Sequence, residues 1–347
     1  MMKTATYVSG LVGLAIAIFL VAKEGIGSVF QVLQLAGWGL LWLVPFHVIP
    51  LWCDATAWRV LLAPRDPDHR LPTPYLFWVA AVREATNRLL PVASIGGELV
   101  GIRLAMLRGI EGPVASASIL VEVLLTVLVQ YLLTALGMVL LISATQATEL
   151  THSIFLGLGL SLPVPILIFV ALRYGSVFQR IERAIEKMLG PEIAAQFGGG
   201  SLDAEVQALV VRHGRMLCAL LLQFLAYLIG SFENWLALRL LGHPVSIGSA
   251  IALEAVAQAI RHFIFFVPGG LGVQEAGLVI FGQMMGLDRD VALSLSLAKR
   301  MREILFGVPA LLSWQWVEGR LLRRRLKITA KSRAPETSTV AEERVSS

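Results

Sequence analysis

Two glutamates stand where chemistry is least expected. Glu98 and Glu275 each lie seven residues after a proline, Pro91 and Pro268, inside otherwise apolar sequence. A carboxylate at membrane depth costs roughly 2.5–3.5 kcal/mol on insertion scales, so it faces a cavity or a partner. There it could hold a polar headgroup or carry a proton. The plainer reading is a helix-start carboxylate that satisfies its own backbone amides, since each Glu opens an apolar helical piece. Arg83, Glu84 and Arg88 precede the first proline; Glu254, Arg261 and His262 precede the second. Arg88 and Arg261 could grip a lipid phosphate bidentately, against the alternative of snorkelling or internal pairing. Glu122 and the group Lys299, Arg300, Arg302 and Glu303 follow in later apolar runs, and Glu233 and Asn234 sit in another. Lys299 falls opposite Glu122 at a shared offset, which allows a Glu122–Lys299 pair; otherwise Lys299 and Arg300 line the same groove.

Other chemistries leave no pattern. There is no HExxH, no Cys/His cluster, no GxSxG and no Walker loop, so no catalytic residue, metal or cofactor is expected. The two cysteines, Cys53 and Cys218, lie in apolar runs and imply neither a disulfide framework nor a metal site. His47, His213 and His243 read as loop or core residues. The expected substrate-contacting set is Arg88, Glu98, Glu122, Arg261, Pro268, Gly269, Gly270, Gly272, Glu275, Lys299 and Arg300.

The elements that must position these groups are membrane helices. Of 347 residues 56% are hydrophobic and 15% charged, with mean hydropathy +0.73, far from a soluble surface. The formal net charge of +5 is concentrated in loops and tail, which suits an anionic membrane surface and not nucleic acid. Spans are expected near 5–22, 37–62, 114–142, 154–172, 209–241 and 291–317. The second carries Trp38, Trp42, Trp52 and Trp58, most simply an interface belt. The pieces 75–90 and 92–107, and again 250–267 and 276–285, are each short of the ~20 residues a span needs. Each pair suits a hairpin that dips in and returns.

The expected fold is thus an all-α polytopic membrane protein with about six spans and two broken or re-entrant hairpins. It forms a single unit over 1–320, with an amphipathic cytoplasmic loop at 173–208. A basic, then polar, disordered tail follows at 321–347. Lys and Arg crowd the loops after the second and fourth spans and the tail, but are absent from 143–153 and 242–249. Both termini therefore face the cytoplasm.

The two broken regions align without a gap at an offset of 177: Trp58 with Trp235, Pro67 with Pro244, Pro91 with Pro268, Glu98 with Glu275 and Gly109 with Gly286. The copies run over about 37–142 and 209–317. An odd number of spans separates equivalent positions, so the copies are expected to be inverted, an arrangement typical of transporters with a midplane site.

The run Asn87-Arg88-Leu89-Leu90-Pro91 through Gly96-Gly97-Glu98, and the run Val267-Pro268-Gly269-Gly270-Leu271-Gly272-Val273-Gln274-Glu275, together resemble the flippase-like transmembrane family. That family includes the membrane half of lysylphosphatidylglycerol synthase, and the resemblance covers about residues 5–320. Within the family, the length and the missing fused domain look most like the branch associated with hopanoid biosynthesis. The first copy has Val92-Ala93-Ser94 where the second has Gly269-Gly270-Leu271, so the two tips differ. The resemblance implies a bacterial inner-membrane lipid transporter acting on an amphiphile such as a hopanoid. Membrane lipids would be its partners, with lipid-biosynthesis enzymes as further candidates. Arg88 and Arg261 would suit an anionic head, the carboxylates a polyol or amine head. Two rivals stand beside this reading. One is a membrane-embedded transferase with Glu98 or Glu275 as general base. The other is a scaffold that recruits enzymes through 176–215 and the tail.

Overall fold

An apolar chain must satisfy its backbone polar groups internally, and a helix does so within one segment. Every regular element described in the structure, a computed structural model, is accordingly helical. It describes residues 37–90, 96–145, 163–180, 182–183, 199–263, 273–284 and 286–333. The expected first span at 5–22 and most of the amphipathic loop lie outside the described residues.

Helix α1 (Leu43–Leu62) follows a 3-10 turn at Trp38–Trp42. That turn starts from Gly37 at φ 75, a left-handed conformation that glycine adopts without strain. The Asp66 carboxylate then accepts the backbone N–H groups of Arg70 and Leu71 and closes the connecting loop. Helix α2 (Thr73–Leu89) carries Pro74 in its first turn, where no amide is lost to the helix. It stops because Leu90 precedes Pro91 and is driven into the extended region, at φ −105 and ψ 146.

Helix α3 (Gly96–Leu107) returns alongside α2. Tyr75 Oη, at the start of α2, donates to the Leu104 carbonyl near the end of α3. At the other end Gly97 N donates to Asn87 Oδ1, so the two helices form an antiparallel hairpin. Arg70 reaches the Gly109 carbonyl and ties the way in to the way out. At 17 and 12 residues these helices are about 25 and 18 Å long, short of a ~30 Å hydrocarbon core.

Beyond the hairpin come α4 (Gly112–Thr145), α5 (Pro163–Tyr174), α6 (Gly199–Val210), α7 (His213–Leu240), α8 (Ile247–Phe263), α9 (Val273–Met284) and α10 (Arg289–Arg333). The bounds of α3 and α9 are 177 residues apart at both ends, as are the starts of α4 and α10. Gly109 and Gly286, also 177 apart, both turn the chain with positive φ, at 85 and 82.

The packing repeats as well. Helix α4 lies on α8 and α10 on α2, while α1 and α7 pack on each other. A Cβ on Gly137 of α4 would overlap Ala255 of α8 and come within 3.3 Å of Ala252. One on Gly307 of α10 would come within 2.7 Å of Leu89 and 3.2 Å of Ala85 on α2. Glycine is what lets each long helix approach the other half's hairpin. Helices α1 and α7 are antiparallel: Arg215 at the start of α7 donates to the Val60 carbonyl, and Leu40 and Leu43 cluster with Ala237 and Leu238.

Among the described residues three helical stretches are long and apolar enough to cross a membrane, Trp38–Arg65, Gly112–Leu140 and His213–Leu240. Their exposed side chains include Leu217, Leu221 and Leu225 on α7 and Leu128, Leu132 and Val139 on α4, which form apolar ridges. Trp38, Trp42 and Trp52 are exposed as an interface belt would be, but Trp58 is fully buried and donates to Ser118 Oγ. The last helix also differs from expectation. It continues to Arg333, through residues assigned to a disordered tail. From Arg320 to Arg333 the chain holds no Gly or Pro and is rich in Leu, Arg and Lys, all strong helix formers.

Candidate functional site

Helices α1, α2, α3, α4, α7, α8 and α10 enclose a cavity of about 660 Å³. Polar side chains reach it from every one of them, and they assemble into separate ionic groups.

At the hairpin tip, Arg83 of α2 bridges two helices. Its Nη1 donates to Glu122 Oε2 on α4 at 2.8 Å, and its Nη2 donates to Glu98 on α3. Glu98 is in the first turn of α3, where the helix dipole favours an anion. Asn87 holds the turn from both sides: it accepts from Gly97 N and donates to Glu98 Oε1 at 3.3 Å. The Arg83 guanidinium also lies 4.9 Å from the Trp58 ring centroid.

A second group closes a ring across α1, α2, α7 and α10. Arg302 donates from Nε to Glu233 Oε1 at 2.9 Å and from Nη1 to Glu84 Oε1 at 3.1 Å. His47 Nε2 is 2.8 Å from Glu84 Oε2, and its Nδ1 is 3.4 Å from Glu233 Oε2. Next to it, Arg88 donates to Glu303 Oε1 at 3.1 Å and stands 3.9 Å from Glu84. Arg300 reaches Glu303 Oε2 at 3.4 Å.

The last group belongs to the second half of the chain. Lys299 Nζ donates to Glu254 Oε2 at 2.6 Å and to Asn234 Oδ1 at 3.0 Å. Asn234 and Gln258 donate to the same carboxylate, at 2.9 and 2.6 Å. Gln130 donates to Tyr227 Oη at 2.9 Å and carries the polar lining further along α4 and α7.

Taking an ion out of water costs several kcal/mol unless a partner and hydrogen bonds replace the solvent. These groups meet that condition: Arg83, Glu122, Glu233, Glu254, Lys299 and Arg302 are all buried and all in ion pairs. The lining is nevertheless unequal in charge. It presents six carboxylates, from Asp54, Glu84, Glu98, Glu122, Glu233 and Glu254, against four fixed cations, Arg83, Arg88, Lys299 and Arg302, plus His47. The formal excess is −2 with His47 neutral and −1 with it protonated. Among the described residues, no three His, Cys, Asp or Glu side chains gather as a metal site.

Of the residues singled out by sequence, Arg88, Glu98, Glu122 and Lys299 line the cavity, and Arg300 stands behind it on Glu303. Arg261 and Glu275 lie on α8 and α9, but their side chains are outside what is described. Pro268, Gly269, Gly270 and Gly272 lie outside the described residues. The Glu122–Lys299 pair does not form. Each is taken by a partner in its own half of the chain instead: Glu122 by Arg83, and Lys299 by Glu254.

His47, Asp54, Gln130 and Tyr227 were not singled out by sequence, and all line the cavity. For Asp54 a signal existed. It is a carboxylate within a 20-residue apolar helix, the same anomaly that draws attention to Glu98.

The family model for the lysylphosphatidylglycerol synthase TM region matches residues 7–310. No curated protein and no solved structure matches the chain.

Proposed function

Because the chain belongs to the lysylphosphatidylglycerol synthase transmembrane-region family, we propose that it is a multi-pass lipid transporter. The polar head of an amphiphile passes through the cavity between the leaflets while the apolar part stays in lipid. The observation that carries this reading is the cavity itself: about 660 Å³ of space among apolar helices, lined by ionisable side chains from seven of them. A merely structural polar core would be filled. Here the ion pairs form the walls and leave a space large enough for a head group.

The two halves supply the frame for alternating access. We read them as inverted copies, supported by helix bounds 177 residues apart and by the antiparallel pairing of α1 with α7. The α2–α3 hairpin opens at the end that carries Arg65, Arg70, Arg108 and Arg215, while Leu278 of α9 and Val291 of α10 cluster with Leu40 and Leu43 at the other. The second hairpin then enters from the opposite face. Six spans with two re-entrant hairpins, and cytoplasmic termini in a bacterial inner membrane, complete this arrangement.

The charge of the lining bears on the head group. Each lining cation is already paired within the protein, and the excess is acidic. A polyol or an amine fits that lining better than a bare phosphate. A hopanoid with a polar side chain is one amphiphile of this kind.

The test is head-group translocation in proteoliposomes holding the full chain, with fluorescent probes bearing amine, polyol or phosphate heads. The expected outcome is faster movement of amine or polyol probes than in empty vesicles, lost in Glu254→Gln and Arg302→Leu variants that still purify as folded protein. Wild type that moves none of the probes, together with a missing lipid modification in a deletion strain, would replace transport with a transferase.

A further inference from the structure

One cavity group is unlike the rest. Glu84, Glu98, Glu122, Glu233, Glu254 and Glu303 each sit in an ion pair. Asp54, in the middle of α1, has none among the described residues, and its Oδ1 is buried with no hydrogen-bond partner. A carboxylate so placed has no ion-pair partner among the described residues and one buried oxygen without a donor, and pairing and hydrogen bonds are what sustain an ionised acid away from water. A proton bound at Oδ1 removes the charge and turns the acceptor into a donor. We infer that Asp54 is a proton-binding site of the cavity, loaded and unloaded as the cavity changes the side it faces; this rests on the transporter reading above.

The surroundings support a proton over a metal ion or a permanent cation partner. On α1 itself the nearest charged neighbours in sequence are Arg59, which donates to Thr73 Oγ1, and His47, which is already engaged with Glu84 and Glu233. From α2, Arg83 and Glu84 act on Asp54, and from α3, Glu98. Glu122 of α4 and Tyr227 of α7 feel its charge in turn. Arg88, Glu233, Glu254, Lys299 and Arg302 face the same cavity from α2, α7, α8 and α10, each within its own ion pair. His47, held by Glu84 and Glu233, and Arg83 both act on Asp54 in a favourable sense, but both Nη groups of Arg83 are committed to Glu98 and Glu122. Only its Nε is left without an acceptor. No metal-binding trio surrounds Asp54 among the described residues.

This arrangement couples the proton to the hairpin. With Asp54 protonated, Arg83 belongs wholly to Glu98 and Glu122 and ties the hairpin tip to α4. When the O–H bond breaks and the proton leaves to bulk water, the new carboxylate competes for Arg83. The tie at the hairpin tip weakens as a result. One proton is taken up and one released in each cycle, and no other reactant is consumed.

Two measurements test the inference. Infrared difference spectra of the purified full-length protein across a pH titration should show a protonated-carboxyl C=O band that is absent in Asp54→Asn and shifted but present in Asp54→Glu. Identical spectra for wild type and Asp54→Asn would overturn the site. In proteoliposomes with the amine- and polyol-headed probes, a one-unit pH gradient can sustain at most about tenfold probe asymmetry for one proton per lipid. Wild type should approach that asymmetry and Asp54→Asn should build none. Wild type that equilibrates a probe with no asymmetry overturns the coupling and leaves the transporter intact. Wild type that moves no probe while Asp54 still titrates sinks the transporter reading and keeps the proton site.

Discussion

The two hairpin halves share a frame and differ in chemistry. Helices α3 and α9 have the same length and the same offset, and α4 and α10 start in register. Yet Arg83 has Ile260 as its counterpart, Glu122 has Lys299, Asp54 has Ser231 and Asn87 has Ile264. Several charges of the second half lie where the first half is apolar or neutral: Glu254 matches Phe77, Glu233 matches Thr56 and Arg302 matches Leu125. Backbone geometry is kept because crossings such as Gly137 on α8 and Gly307 on α2 tolerate no added atom. Side chains that face a cavity carry no such constraint. Two halves with matching helix bounds can therefore supply an acidic, Arg-tied tip in one and a Lys–Glu–amide cluster in the other.

That difference predicts unequal consequences when each half loses its buried cation. Arg83→Ala leaves two carboxylates, Glu98 and Glu122, without their cation, Glu98 keeping only a long bond from Asn87, and breaking a buried pair costs about 3–5 kcal/mol. Lys299→Met leaves only Glu254, which keeps donors from Asn234 and Gln258, so its cost should fall toward about 1–3 kcal/mol. Unfolding of both variants in detergent measures the gap. The double variant Lys299→Met/Glu254→Gln, with neither charge left, should recover most of the loss. Equal destabilisation by the two single variants would mean that the halves do not differ in this way.

A smaller effect is expected at the hairpin tips themselves. A Cβ on Gly97 would press on the Arg83 carbonyl oxygen and stand 2.8 Å from the Asn87 side chain. The position 177 residues later is Gln274, which already has a Cβ. Gly97→Ala should cost about 1–3 kcal/mol by overpacking, while Gln274→Ala introduces no overlap. The Gly97→Ala variant should also loosen the Asn87–Gly97 bond, read as faster amide exchange at Gly97. Unchanged exchange there would show that the tip yields elsewhere.

What the sequence made legible follows the same division. Proline and glycine act on the backbone of their own neighbours, so the break at Pro91 and the offset that pairs Gly109 with Gly286 could be read locally. Glu98, Glu122 and Lys299 stood out because charge in apolar sequence is costly wherever it points. Partners were another matter. Which carboxylate Lys299 meets depends on the rotation of α10 against α7 and α8, and no spacing along one helix encodes that. The His47–Glu84–Arg302–Glu233 ring joins residues up to 255 positions apart. His47 looked like a core residue because a single histidine on an apolar helix has the same local pattern in either role.

The smallest contrast concerns the matched tryptophans, and it separates sequence equivalence from physical equivalence. Trp58 and Trp235 align at the repeat offset. Trp58 is fully buried, donates its Nε1–H to Ser118 and stacks near Arg83. Trp235 is half-buried, with Arg239 5.2 Å from its ring as its charged neighbour. Phenylalanine at 58 would fill most of the volume but remove the donor to Ser118 Oγ, which keeps its own bond to the Ala115 carbonyl, a loss of about 0.5–1.5 kcal/mol for one hydrogen bond. At 235 the corresponding change removes a partly solvated contact and should stay within about 0.5 kcal/mol. Melting of the two variants side by side decides it. If Trp235→Phe costs as much as Trp58→Phe, the second half holds its tryptophan as tightly as the first, and the asymmetry is confined to the ionic side chains.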